Sequence, residues 1–77
     1  MKSEYKYIRF VDMPDLEGRK THLWACRNIR SDSPLGSIRW YGPWRQYCFF
    51  PSSATVYSAG CLADIQDFIS QAMKARK

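Results

Sequence analysis

The stretch IRWYGPWRQYCFFP, residues 38–51, decides the fold because it contains a turn between two runs of β-forming residues. Gly42 and Pro43 separate the runs, and a glycine–proline pair is typical of a hairpin turn. If these two residues form the whole loop, Tyr41 lies opposite Trp44 in the paired strands. The stretch therefore predicts a β-hairpin near the middle of the chain.

Alternation along this hairpin predicts two different faces. One face carries Ile38, Trp40, Arg45, Tyr47 and Phe49. The opposite face carries Ser37, Arg39, Tyr41, Trp44, Gln46 and Cys48. The first set is mostly large and apolar, so we expect it in the core, whereas the second is a candidate contact surface. A register shift of one residue would exchange the faces of one strand.

The remaining elements are predicted from periodicity. Residues 5–11 and 21–29 alternate as strands, residues 12–20 are typical of a loop, and a short fifth strand is predicted at residues 55–58. Near the C-terminus, apolar residues recur at three- and four-residue spacing, which predicts a helix with Ser58 as its N-cap. These apolar residues are Leu62, Ile65, Phe68, Ile69, Ala72 and Met73.

These elements predict one α+β domain over residues 1–77, an antiparallel four- to five-stranded sheet with one C-terminal helix packed on one face. The other face of the sheet is left for solvent or a partner. A chain this short buries only about 60–65% of its unfolded surface, which disfavours a deep enclosed active site.

Composition narrows the class of partner. The net charge of +5 and the pI near 9.4 favour phosphate-bearing or acidic partners. The three cysteines form no C-x-x-C pair, and no apolar run approaches the roughly 18 residues of a membrane span. The N-terminus lacks the apolar segment of a signal peptide. We therefore expect a reduced, cytoplasmic protein without a membrane partner.

Catalysis and metal binding are disfavoured by the residue inventory. His22 is the single histidine, and on an extended strand it lies about 13 Å from Cys26. No nucleophile motif or glycine-rich phosphate loop occurs, and the scattered cysteines do not give the paired spacing of a zinc site. We expect no enzyme activity, no metal site and no cofactor.

The leading hypothesis is a binding module for nucleic acid or a nucleotide, in which aromatic side chains stack on bases and guanidinium groups hold phosphates. The candidate ligand-binding residues are Arg39, Tyr41, Trp44, Arg45, Gln46, Arg27 and Arg9. An alternative is a protein inhibitor whose basic surface docks in an acidic groove of a host protein, since Tyr, Trp and Arg also dominate interface hot spots. A third hypothesis is self-association into a homodimer through an exposed edge or the hairpin face.

The motif order resembles a group of short uncharacterised proteins carried by phages, prophages and bacterial genomes. The similar motifs are KT-x-x-W at residues 20–24, LG-x-I-x-W leading into WRQYCFFP at residues 35–51, and CL-x-D-I at residues 61–65. The resemblance covers roughly residues 7–69 and carries over no site residues. A phage setting implies nucleic-acid handling or countering a host defence, for example by binding a nuclease or sequestering a nucleotide signal.

Overall fold

A computed structural model describes residues 1–13 and 21–76. The elements are β1 (Ile8–Asp12), β2 (Leu23–Asn28), β3 (Pro34–Tyr41), β4 (Gln46–Pro51) and the helix α1 (Ala59–Ala75). The four strands form one antiparallel sheet in the order β1-β2-β3-β4, so each strand pairs with its neighbour in the chain. The predicted α+β class is confirmed. The loop predicted at residues 12–20 falls largely outside the described residues.

The predicted hairpin register is wrong by two residues. Tyr41 lies opposite Gln46 rather than Trp44, because the loop has four residues instead of two. Gly42–Trp44 form a 3-10 turn, and Arg45 follows in the left-handed region with φ 51° and donates its N–H to the Gly42 carbonyl at 3.1 Å. A shift of two residues preserves the faces, but it removes Trp44 and Arg45 from the strands.

The predicted fifth strand is also wrong. Residues 55–58 form no strand in the described part of the chain. This segment is tied down by side chains instead, because Thr55 donates its hydroxyl to the Ser52 carbonyl at 2.9 Å and Tyr57 donates its hydroxyl to the Leu35 carbonyl. Side-chain hydrogen bonds thus replace a strand ladder between β4 and α1.

The core lies between α1 and one face of the sheet. Phe68 is its centre, stacked on Phe10 with ring centroids 4.2 Å apart and in edge contact with Trp24 at 5.1 Å. The buried residues are Ile8, Phe10, Trp24, Cys26, Ile38, Tyr47, Ile65, Phe68 and Ala72. Of the predicted core face of the hairpin, Ile38 and Tyr47 are buried, and Trp40 and Phe49 are half-buried against the core. Arg45 is exposed in the turn.

The helix begins as predicted. The Ser58 hydroxyl accepts from the Cys61 N–H at 3.1 Å, which satisfies one of the free donors of the first turn. Leu62, however, is 53% exposed. It lies roughly 90° around the helix from the centre of the buried stripe, and Cys61 takes the inward position of that turn. In the part of the chain that the structure describes, no helix is long and apolar enough to cross a membrane.

Gly36 lets the chain segments pack closely at the start of β3. A Cβ atom at this position would lie 2.6 Å from the Phe49 ring and 2.6 Å from the Phe50 carbonyl oxygen. The Phe49 ring is fixed from another side by edge contact with Tyr57 at 5.3 Å. Only glycine therefore fits here without a shift of neighbouring atoms.

The N-terminal residues cover the outer edge of β1. Phe10 donates its N–H to the Ser3 carbonyl at 2.8 Å, and Glu4 forms an isolated bridge with Arg9. Tyr5 fastens this segment to α1, since its hydroxyl donates to the Asp67 carboxylate at 2.8 Å. The first sheet edge is therefore paired with the protein's own chain.

Candidate functional site

The face of the sheet opposite α1 carries arginine and aromatic side chains. Antiparallel register places cross-strand partners on the same face, and the core residues identify the other face as the one covered by the helix. The open face carries Arg9, Val11, Leu23, Ala25, Arg27, Ser37, Arg39, Tyr41, Gln46, Cys48 and Phe50. Arginines and polar residues thus lie among the aromatic residues of this face, whereas the core face is mostly apolar. The open face is therefore the surface available to a ligand.

One end of this face holds a group of four side chains that we call the tip cluster: Arg39, Tyr41, Trp44 and Phe50. Tyr41 makes edge contacts with Trp44 at 5.0 Å and with Phe50 at 6.0 Å between ring centroids. The guanidinium carbon of Arg39 lies 3.9 Å from the centroid of the Phe50 ring. Three aromatic rings and one cation thus form a continuous surface.

The three aromatic side chains of the tip cluster line a shallow concavity of about 270 Å³, together with Cys48 and Phe49. Trp44 is 66% exposed, the most exposed aromatic ring of this group. Trp44 belongs to the 3-10 turn that precedes β4 and is not part of that strand. The turn sets Trp44 beside Tyr41, the last residue of β3. The turn geometry therefore produces an exposed indole at the edge of the concavity.

The tip cluster is positively charged. Arg39 is exposed on β3, and Arg45 is exposed in the turn next to Trp44. Among the described residues, no carboxylate lies within ion-pair distance of either arginine. A stacked guanidinium keeps its outer face and N–H groups available for an acceptor such as phosphate.

Arg9 and Arg27 occupy the opposite end of the same face. They lie across from each other on β1 and β2, and both contact Asp32. Arg39 lies opposite Leu23, which is four positions before Arg27 on β2, a distance of about 13 Å along the strand. The hydrogen bonds from Arg9 and Arg27 hold the pKa of the Asp32 carboxyl below its usual range.

The predicted ligand-binding set is therefore divided into two groups. The first group contains Arg39, Tyr41 and Trp44, with Gln46 opposite Tyr41 and Arg45 in the adjoining turn. The second group is Arg9 and Arg27, at the other end of the face.

The prediction of a single surface omitted two residues. Phe50 was missed although it continues the alternation of Gln46 and Cys48, and that alternation is sufficient to find it. Asp32 was missed because its contact with Arg9 crosses from the β2–β3 turn to β1, and no sequence period reports such a contact.

A second concavity, of about 470 Å³, lies on the helix side of the sheet between α1 and the strand ends. His22 stacks on Trp24 with centroids 5.2 Å apart, and its Nδ1 lies 3.8 Å from Asp12 Oδ1. The Tyr47 hydroxyl accepts from the His22 N–H at 3.2 Å. Within residues 1–13 and 21–76, no group of three or more His, Cys, Asp or Glu side chains could hold a metal ion.

The cysteines differ in environment. Cys26, Cys48 and Cys61 are all free thiols. Burial raises the pKa of Cys26 to about 12, with a smaller contribution from Cys61. The thiolate is the reactive form of cysteine, so the raised pKa and the complete burial of Cys26 both disfavour its reaction in the folded protein. Cys48, on the open face, is partly accessible.

Comparison with known proteins connects the chain to a phage protein. It is 36% identical over 72 residues to an "Uncharacterized 9.3 kDa protein" of Acholeplasma phage L2, and the match covers 94% of this chain and 91% of the phage protein. No family model matches the chain, and no solved structure matches it. Identity at this level over nearly the full length of both chains indicates common descent. The chain belongs to the family of this phage protein.

Proposed function

We propose that this protein binds single-stranded nucleic acid, with bases stacked on the tip cluster and phosphates held by the neighbouring arginines. The observation that carries the proposal is an exposed Trp44 in edge contact with Tyr41, which also contacts the Phe50 ring on which Arg39 stacks. Aromatic rings give bases a stacking surface that tolerates different sequences, and guanidinium groups add attraction for the backbone. An open sheet face with both features is suited to an extended strand.

The exposure of Trp44 supports a role in binding rather than in folding. An indole that is 66% exposed contributes little burial to the folded state. Its ring is nevertheless held in place by Tyr41 at 5.0 Å and by the 3-10 turn. A fixed, exposed ring can stack on a base with little further loss of side-chain entropy.

The shape of the tip concavity favours a strand over a free nucleotide. Sites for small ligands usually enclose most of the ligand in roughly 300–1,000 Å³, whereas this concavity is about 270 Å³ and shallow. Added affinity then has to come from neighbouring bases and phosphates along the open face. The phage relative and the free cysteines support a role in the cytoplasm of an infected cell.

The experiment is a fluorescence anisotropy titration with a labelled twelve-nucleotide oligothymidylate, repeated at several salt concentrations. Contact of two phosphates with Arg39 and Arg45 gives an expected slope of log affinity against log salt of about −1.4. Trp44→Ala should weaken binding about 5- to 150-fold, the range found for loss of one stacked base, while Trp44→Phe should retain part of the affinity.

A charge-matched pair of variants separates a defined site from general attraction. Arg39→Gln and Lys74→Gln each remove one positive charge, but Lys74 lies on α1, away from the open face. Only Arg39→Gln should weaken binding by more than about twofold. Equal losses in the two variants, or no binding of any single strand at low salt, would refute the proposal. A host protein captured after nuclease digestion and competing with the oligonucleotide would instead support the inhibitor hypothesis.

A further inference from the structure

The carboxylate of Asp32 lies between two arginines at the end of the open face remote from the tip cluster. Its Oδ1 atom is 2.6 Å from Arg9 Nη2 and 3.0 Å from Arg27 Nε. The arginines come from different strands and lie directly across from each other. Two guanidinium groups that converge on one oxygen atom form the arrangement that arginines use to bind phosphate.

The turn that carries Asp32 is held by other groups. The Asn28 side-chain oxygen accepts from the N–H groups of Arg30 and Ser31, at 2.9 and 3.2 Å. The Asn28 N–H donates to the Ser33 carbonyl at 3.0 Å, and Asp32 contributes its backbone N–H to the Asn28 carbonyl at 2.8 Å. The carboxylate of Asp32 takes no part in these bonds. Its contacts are with the arginines.

The carboxylate is easy to displace. The side chain of Asp32 is 58% exposed, and those of Arg9 and Arg27 are 37% and 34% exposed. Ion pairs this open to water contribute little to stability. Replacing the Asp32 carboxylate with a competing anion therefore costs little free energy. Arg9 opposite Arg27 is also a like-charge pair across the strands, which is unfavourable unless an anion lies between them.

We propose that Arg9 and Arg27 form a second phosphate subsite, which Asp32 fills in the free protein and yields to a phosphate of the bound strand. This inference rests on the proposed function, because the subsite lies on the same open face, about 13 Å from Arg39 along the strands. Asp32 competes with external anions for Arg9 and Arg27. It therefore lowers the anion affinity of this subsite and leaves the tip cluster unchanged.

Asp32→Asn tests the inference directly. Asparagine tolerates the left-handed backbone found here, φ 58°, so the turn is retained. The variant should bind the oligothymidylate up to about fivefold more tightly, since no ion pair has to be broken, and the salt slope should steepen by about 0.7 for the additional phosphate. Asp64→Asn on α1 makes the same charge change away from the open face and should leave both quantities unchanged.

Two further measurements keep the inference distinct from the proposed function. Arg27→Gln in the Asp32→Asn background should abolish the gain. Pyrophosphate titrated into Asp32→Asn should shift the NMR signals of Arg9 and Arg27 at lower concentration than in wild type. If wild type binds no oligonucleotide, the proposed function fails and the pyrophosphate result still decides the subsite. An Asp32→Asn variant that binds oligonucleotide and pyrophosphate no better than Asp64→Asn would overturn the inference.

Discussion

Replacing Gly36 with alanine should destabilise the protein because β3 and β4 leave no room for a methyl group. The added Cβ would lie 2.6 Å from the Phe50 carbonyl oxygen and 2.6 Å from the Phe49 ring. The carbonyl belongs to the backbone of β4, so it can move only with its strand. The ring is confined by Tyr57. Relief of the clash therefore requires β3 and β4 to separate locally.

The expected size of the effect follows from two opposing contributions. Overpacking of a well-packed site costs about 1–3 kcal/mol, and contact with backbone places Gly36→Ala at the upper end. Alanine in a strand recovers about 0.5–1 kcal/mol, because glycine loses more conformational freedom on folding. The net loss should be about 2 kcal/mol, a large share of the roughly 4–12 kcal/mol expected for a domain of this size.

Urea denaturation followed by tryptophan fluorescence measures the loss. The midpoint should fall by about 1–2 M, and the melting temperature by roughly 8–16 °C. Gly42→Ala is the matched control, since nothing lies within 4 Å of a Cβ at that position and its stability should stay within about 0.5 kcal/mol of wild type. Equal stability of the two variants would show that the close approach at Gly36 does not exist.

Other consequences can be measured on the same protein. Phe68→Ala should cost about 3–5 kcal/mol in a melt, because it opens a cavity at the centre of the core. Ser58→Ala should cost about 1 kcal/mol through loss of the helix cap. A maleimide reagent should label Cys48 in the native state and Cys26 only after unfolding, as mass spectrometry of digests would show. The pKa of Asp32 is lowered in the folded state, so its stabilising contribution is present above the unfolded pKa of about 4 and is lost as pH falls through the folded value. Because the ion pair is exposed, Asp32→Asn should flatten the acid side of the stability profile only slightly, as urea midpoints measured from neutral to acid pH would show.

The faces of the hairpin could be predicted from sequence because side-chain direction depends only on odd or even position. A register error of two residues left that parity unchanged, so Ile38 and Arg39 were assigned to the correct faces. Loop length was not predictable in the same way. The loop contains Arg45 in a left-handed conformation that glycine or asparagine usually adopts, so no residue type signals the four-residue turn.

The candidate site was predicted in composition but not in extent. Period two identifies the residues that share a face, yet it does not report distance along the strands. Arg27 and Arg39 were therefore assigned to one group, although about 13 Å of β2 separates their positions. The contact partner of each arginine is equally hidden in the sequence. Arg27 shares the Asp32 carboxylate with Arg9, whereas Arg39 stacks on the Phe50 ring.

The pairing of residues 3–5 with the outer edge of β1 bears on how the protein behaves in concentrated solution. Those few residues satisfy backbone groups that would otherwise be a template for a strand of another molecule. A bulky N-terminal fusion or a proteolytic cut that displaces these residues would leave the edge of β1 unpaired. We then expect oligomers in which β1 pairs with a strand of another molecule. The N-terminal segment thus protects this sheet edge from pairing with another molecule, in addition to packing Tyr5 against Phe10 of the core.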